Sequence, residues 1–239
     1  MKVVRKLVTV FVLTLLSYGA VAQPVDIVGD YYTIEPDQRY CPTPACGGWW
    51  LTKVNQYTVA ADESVLDASV IPIVPSPVYV AAIDYRALGL SDREIAEFQH
   101  QILAGRAFIR GVLRPYPSPW PSWFRPLQQL AATGTWVAAN DNDPVGPYLN
   151  VRNSGIVCIT TPCPYYDVQE LNTGYKTAAH ELDLKRARLT DKQTELARRE
   201  VAGNGLIMTG IRFESQGQTG TGLGIAATKV FFTFPGPTY

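Results

Sequence analysis

Four cysteines are the residues of this 239-residue chain best suited to chemistry, and they come as two pairs of one spacing: Cys41-Pro-Thr-Pro-Ala-Cys46 and Cys158-Ile-Thr-Thr-Pro-Cys163. As four thiolates they could hold one zinc ion; oxidised, they could staple two turns. Zinc clusters prefer tighter, two-residue spacings, so the disulfide reading leads. Four cysteines allow three pairings, and the matched spacing favours Cys41–Cys46 and Cys158–Cys163. Each bridge would close a six-residue loop, be worth roughly 2 kcal/mol through chain entropy, and fix a turn. No metal and no cofactor is expected.

The chain has only two histidines, His100 and His180. A histidine-based triad or metal site would need one of them beside carboxylate or nucleophile partners, and no such motif surrounds either. Gly217-Gln-Thr-Gly-Thr-Gly222 lacks the lysine and the strand-loop-helix setting of a phosphate loop and reads as a hairpin. The segment that stands out is Arg114-Pro-Tyr-Pro-Ser-Pro-Trp-Pro-Ser-Trp-Phe-Arg-Pro126, where Tyr116, Trp120, Trp123 and Phe124 sit among five prolines. Prolines hold such a loop extended, so little entropy is lost on binding. Flat rings suit sugar faces or an apolar protein anchor, and Arg114 and Arg125 could add hydrogen bonds at the rim. The candidate binding residues are therefore Tyr116, Trp120, Trp123, Arg114 and Arg125, with Trp49 and Trp50 beside the first cysteine turn. The rings could instead cover a sheet edge or fill an interface.

The elements that must position these residues repeat. At an offset of 117, Tyr31 falls on Tyr148, Thr43 on Thr160 and Asn55 on Asn172, along with both cysteines of the pair. At an offset of 99, Asp84 falls on Asp183, Leu90-Ser91-Asp92 on Leu189-Thr190-Asp191, and Gly111 on Gly210. A third block, Leu130-Ala-Ala-Thr133, resembles Ile225-Ala-Ala-Thr228. The drop in offset places 18 extra residues between Asn55 and Ile83 of the first copy. A period near 100 residues means two whole domains rather than a solenoid of small units. The loop matching the Pro/aromatic segment, 214–222, has no aromatic residue, so the fold does not need those rings for its core.

Each copy reads as three strands, a helix and two strands. In the first copy the strands are 31–34, 49–54, 78–85, 107–113 and 135–138. In the second they are 148–151, 166–171, 177–184, 206–213 and 229–234. Ser91 with Glu94 and Thr190 with Gln193 have capping-box spacing. Ile95, Phe98 and Ile102 share one helical face, as Leu196 and Val201 do less completely. Gly105 and Gly203 stand where a left-handed helix cap is wanted. Asp92 and Asp191 meet the positive end of a helix dipole, which accounts for them without catalysis. The fold class is α+β: a β-rich tandem duplication whose β-β-β-α-β-β order suits an oligonucleotide/oligosaccharide-binding-type barrel or an open antiparallel sheet with one helix on its face.

Two stretches resemble a family of secreted bacterial domains of unknown function. One is Arg39-Tyr40-Cys41, four residues, Cys46-Gly47-Gly48-Trp49, with Asn55. The other is Gly155-Ile-Val-Cys158-Ile-Thr-Thr-Pro-Cys163-Pro164, with Leu171-Asn172. The resemblance covers most of the mature chain, and the second motif is the more specific. Family members often carry another cysteine pair in the insert before the third strand; here the insert 56–77 has none, and Val78-Tyr79-Val80 stands where a cysteine would begin that strand. The resemblance implies export and a bacterial source. It implies no activity.

The N-terminus reads as a signal peptide over residues 1–22. Lys2, Arg5 and Lys6 precede the apolar run 7–16, and Ala20-Val-Ala22 is a small-x-small cleavage site. The run is too short for a membrane span, and no later segment is apolar enough for one, so the mature chain is expected to be soluble. The organisation is then a first domain at 23–139, a linker at 140–146, and a second domain at 147–239. Three basic residues leave with the signal, so 18 Lys and Arg face 21 Asp and Glu in the mature chain, a net charge of −3. That balance gives no footprint for nucleic acid. The leading reading is a secreted or periplasmic, non-enzymatic protein binding a glycan or another protein. Its rivals are a structural envelope component and a hydrolase with an unidentified carboxylate site.

Overall fold

The computed structural model describes residues 29–56, 76–117 and 127–236. The signal segment, most of the insert, and Trp120, Trp123 and Arg125 lie outside the described residues. The first half contains β1 (Asp30–Pro36), β2 (Trp49–Lys53), β3 (Val78–Val80), β4 (Ala82–Asp84), α1 (Asp92–Leu103), β5 (Ala107–Pro115) and β6 (Gln128–Ala138). The second contains β7 (Tyr148–Asn153), β8 (Tyr166–Glu170), β9 (Lys176–Ala179), β10 (Glu181–Asp183), α2 (Asp191–Ala202), β11 (Leu206–Gln216) and β12 (Thr221–Thr233). One turn of 3-10 helix precedes each α-helix, at Arg86–Leu88 and Lys185–Ala187.

Among the described residues the result is a β-rich α+β fold: one mainly antiparallel sheet with two α-helices. Its strand order is β3-β2-β1-β5-β6-β12-β11-β7-β8-β9, the second five mirroring the first five across the β6–β12 junction. Off this path, β4 pairs with β6 and β10 with β12, both parallel. The third strand of each half, expected unbroken, is split at Ala81 and at His180. There the chain changes partner: the Ala81 N–H donates to Gln128 O and the His180 N–H to Leu223 O. Before each break the strand pairs with β2 or β8, and after it with β6 or β12. β6 and β12 also begin several residues earlier than their expected starts at 135 and 229.

Both helices start on complete capping boxes. Ser91 and Thr190 accept from the backbone N–H of Glu94 and Gln193, whose side chains reach back to the cap residue's own N–H. Gly105 takes the expected left-handed cap at φ 67°. Gly203 does not: its φ is −107°, and the positive φ falls on Gly205. Asp84 and Asp183 each open the 3-10 turn, their Oδ1 accepting from the N–H two residues on, of Arg86 at 3.1 Å and Lys185 at 2.9 Å. The recurrence of these carboxylates thus has a turn-forming cause.

Each half has its own core. Phe98 and Ile102 of α1 pack on Leu51, Ile109 and Leu130 in the first; Ala197 and Val201 of α2 pack on Val168, Met208 and Ile225 in the second. A third cluster lies on the seam, where Phe108 stacks on Tyr148 with ring centres 5.2 Å apart and Tyr31 and Trp136 pack alongside. Two asparagines clamp the seam reciprocally. Asn172 Nδ2 donates to Tyr31 O and Val54 O while its Oδ1 accepts from the Tyr31 N–H. Asn55 Nδ2 donates to Tyr148 O and Leu171 O while its Oδ1 accepts from the Tyr148 N–H. Both sit at positive φ, 55° and 59°, a conformation asparagine tolerates better than other branched or bulky residues.

Candidate functional site

The first cysteine turn, between β1 and β2, is built on a buried carboxylate. Cys41 and Cys46 form a disulfide with Cα atoms 5.6 Å apart, and Asp37 holds the turn from beneath. Its side chain is shut off from solvent. It accepts from Arg39 Nε at 2.9 Å and Nη2 at 3.0 Å, from the Gly47 N–H at 3.2 Å and from Trp50 Nε1 at 3.1 Å. The Arg39 guanidinium lies 4.7 Å from the centre of the Trp50 ring and 4.8 Å from that of the Tyr79 ring, a cation in contact with two aromatic rings. The Tyr79 hydroxyl donates to Pro44 O at 2.9 Å, tying β3 to the turn. Arg39 keeps half of its side chain in solvent, and Tyr40 beside it is fully exposed.

Hydrogen bonds from Arg39 are the main cause that holds the Asp37 pKa down at about 2. The sign follows from linkage. A carboxylate whose folded pKa lies below its ordinary value of about 4 supports the fold at neutral pH and loses that support as pH falls from 4 towards 2. Asp37→Asn should therefore lower the melting temperature at pH 7 and flatten its decline between pH 5 and pH 2. Asp84, also held at about 2 chiefly by hydrogen bonds from Arg86, retains a share of that decline. A mutant slope equal to the wild-type slope would count against this role for Asp37.

The sequence-derived site residues are not all placed together. Trp50 meets Tyr79 edge-on at 5.4 Å, and Tyr116 directly follows the end of β5. The Tyr116 N–H donates to Leu127 O, closing the base of the Pro/aromatic loop. Trp49 points the other way, because consecutive residues of a strand face opposite sides; it packs with Leu51 against the first core. Arg114 is exposed at the end of β5 and acts on Asp84 as a nearby positive charge. Trp120, Trp123 and Arg125 lie outside the described residues. Asp37, Arg39 and Tyr79 were not singled out from sequence.

The corresponding place in the second half is closed on itself. Cys158 and Cys163 form the second disulfide, Cα atoms 5.8 Å apart. Thr161 Oγ1 accepts from the Gln218 N–H, and Thr161 O accepts from both the N–H and the hydroxyl of Thr219. The cysteine turn is thus zipped to the β11–β12 hairpin. Ser154, Ile156 and Asp167 stand where the first half has Asp37, Arg39 and Trp50. His180 is part of the same closure: its Nδ1 is 3.1 Å from the Cys163 N–H, and its ring stacks on Tyr165. His100 is an exposed residue of α1. Among the described residues no group of three or more His, Cys, Asp or Glu is placed to hold a metal ion. Among them, too, no helix is long and apolar enough to cross a membrane.

A family model described as a domain of unknown function (DUF6748) matches residues 30–237. No curated protein matches, and no solved structure matches.

Proposed function

The chain belongs to that family of domains of unknown function, and from this premise we propose that it is an exported, non-enzymatic binding protein with its site on the first half. In this reading the two halves are copies of one oligonucleotide/oligosaccharide-binding-type barrel. Supporting it, the strand pairings of the first half run in a ring: β1 to β2, β2 to β3, across Ala81 to β4, then to β6, β5 and back to β1. The second half repeats the ring from β7 through β8, β9, β10, β12 and β11. Each half also carries one bulge at a matched place, with Thr133 and Thr228 as the extra residues. The residues 1–22 supply the export signal, and two disulfides suit an oxidising compartment; the destination is the periplasm or the medium.

In barrels of this type the loop after strand one and the loop after strand four border the binding face. Here they are the first cysteine turn and the Pro/aromatic loop. The observation that carries the proposal is the contrast between halves. In the second, the two loops satisfy each other through Thr161, Gln218 and Thr219. In the first, among the described residues, the turn is braced from within by Asp37 and Arg39, and the sequence of the matching loop runs through Tyr116, Trp120 and Trp123. Trp50, Tyr116, Trp120 and Trp123 form the platform in this reading, with Arg39, Arg114 and Arg125 as polar contacts. Trp49 serves the core behind it.

The ligand is a glycan or a protein surface with a flat apolar anchor, the glycan being the class tested first. Tryptophan emission should quench saturably when the mature protein is titrated with at least one of cello-, xylo- and chitohexaose. Trp120→Ala with Trp123→Ala should weaken that binding by roughly tenfold or more and move the melting temperature by less than about 3 °C. A double variant that unfolds places the rings in the core or an interface and ends the site hypothesis. No response to any glycan from a folded wild type moves the search to protein partners.

A further inference from the structure

The second half carries a cleft beneath its helix. It opens between α2 and the strands β8 and β10, with a volume of about 590 Å³. Its origin is a set of matched positions where the second half has the smaller side chain. Leu184, Thr194 and Val201, which line it, stand where the first half has Tyr85, Ile95 and Ile102. In the first half those three side chains belong to the packed core. Their smaller counterparts leave room beneath α2.

Its lining has two characters. The floor is apolar, formed by Leu182, Leu184 and Leu189, which rest on the second core. The rim carries Lys185, Arg188 and Arg198. None of the three makes an ion pair among the described residues. Two acids also line the cleft, so it carries three cations against two carboxylates: Asp183, which caps the 3-10 turn, and Glu181, which accepts from the Ser215 hydroxyl. Arg188 holds a left-handed backbone at φ 50°, a position filled in the first half by Gly89 at φ 63°. A residue with a Cβ costs about 1–2 kcal/mol in that conformation, so the fold alone favours glycine there. Arg198 likewise replaces Gln99. Both changes add positive charge to the mouth of an apolar cleft.

We propose that this cleft binds a small anionic amphiphile: a sulfate, phosphate or carboxylate head on an apolar body. The head meets Arg188 and Arg198 at the rim, and the body lies on the leucine floor. Such a site follows the general build of small-molecule pockets, an apolar surface with a few placed polar groups. It is separate from the binding face proposed on the first half.

The test uses the mature protein with octyl sulfate as an alkyl probe, 1-naphthalenesulfonate as an aryl probe and octyl glucoside as a neutral control, all below their micelle thresholds, by calorimetry. Wild type should bind octyl sulfate or the naphthalenesulfonate at one site, and the preferred probe distinguishes a lipid-like from an aromatic ligand. Arg188→Gly with Arg198→Gln, the first-half residues, should weaken that binding by roughly tenfold or more without lowering the melting temperature. Thr194→Ile should weaken it by filling the floor. Octyl glucoside should bind at least roughly tenfold more weakly than the anionic probe. Equal affinity in the double variant, equal affinity for octyl glucoside, or no saturable binding of either anion to wild type overturns the proposal.

Discussion

Asn55→Ala should cost about 3 kcal/mol of unfolding free energy, and Asn172→Ala about the same. Each side chain makes three hydrogen bonds to backbone of the opposite half. Tyr31 O and Tyr148 O keep a second donor, from the N–H groups of Val54 and Leu171. The Tyr148 N–H and Leu171 O lose their partner when Asn55 is truncated, and the Tyr31 N–H and Val54 O when Asn172 is. A part-buried backbone group stripped of its partner costs about 1–3 kcal/mol, more than the bond itself contributed. Alanine at positive φ adds to this, so Asn55→Gly, which carries no such backbone penalty, should be the milder variant. In urea, each alanine variant should unfold at lower denaturant. The double variant should lose more than either single variant yet keep one transition, because the β6–β12 pairing and the Phe108, Tyr148 and Trp136 cluster still couple the halves. A loss below about 1 kcal/mol for either single variant, or a double variant no less stable than the singles, would contradict the clamp.

This clamp marks the boundary of what could be read from the chain. The match of Asn55 with Asn172 is visible as an identity at fixed offset, but its meaning is not. The partners lie 93 to 141 residues away, and no local pattern encodes them. Short-range features were legible: the capping boxes at Ser91 and Thr190, the cysteine turns, the apolar face of α1 and the order of strands. Alternation along β2 is legible as well, and it places Trp49 and Trp50 on opposite faces. The breaks at Ala81 and His180 are partner changes, which depend on β6 and β12 and leave no mark in the strand's own composition. Asp37 and Arg39 look like an ordinary charged turn until burial and the rings of Trp50 and Tyr79 are known. The second-half cleft depends on which side chains of α2, β8 and β10 face one space, and that is set by the fold and not by any local pattern.

The match between the halves exposes the loops to one decisive exchange. Residues 116–127 can be replaced by the short Gly217–Gly220 turn of the second half, which links strands at the equivalent place. If the aromatic rings belong to a binding face, the strands lose nothing they need, since β11 and β12 pair through Gln216 and Thr221 without them. Flat rings stacked on a ligand contribute far more to binding than to the fold that carries them. The measurement is a paired one on the grafted protein: its thermal transition, and its affinity for whichever hexaose quenches the wild type. The account predicts a cooperative transition within about 3 °C of wild type and no detectable binding. A graft that fails to fold, or one that binds as tightly as wild type, contradicts it.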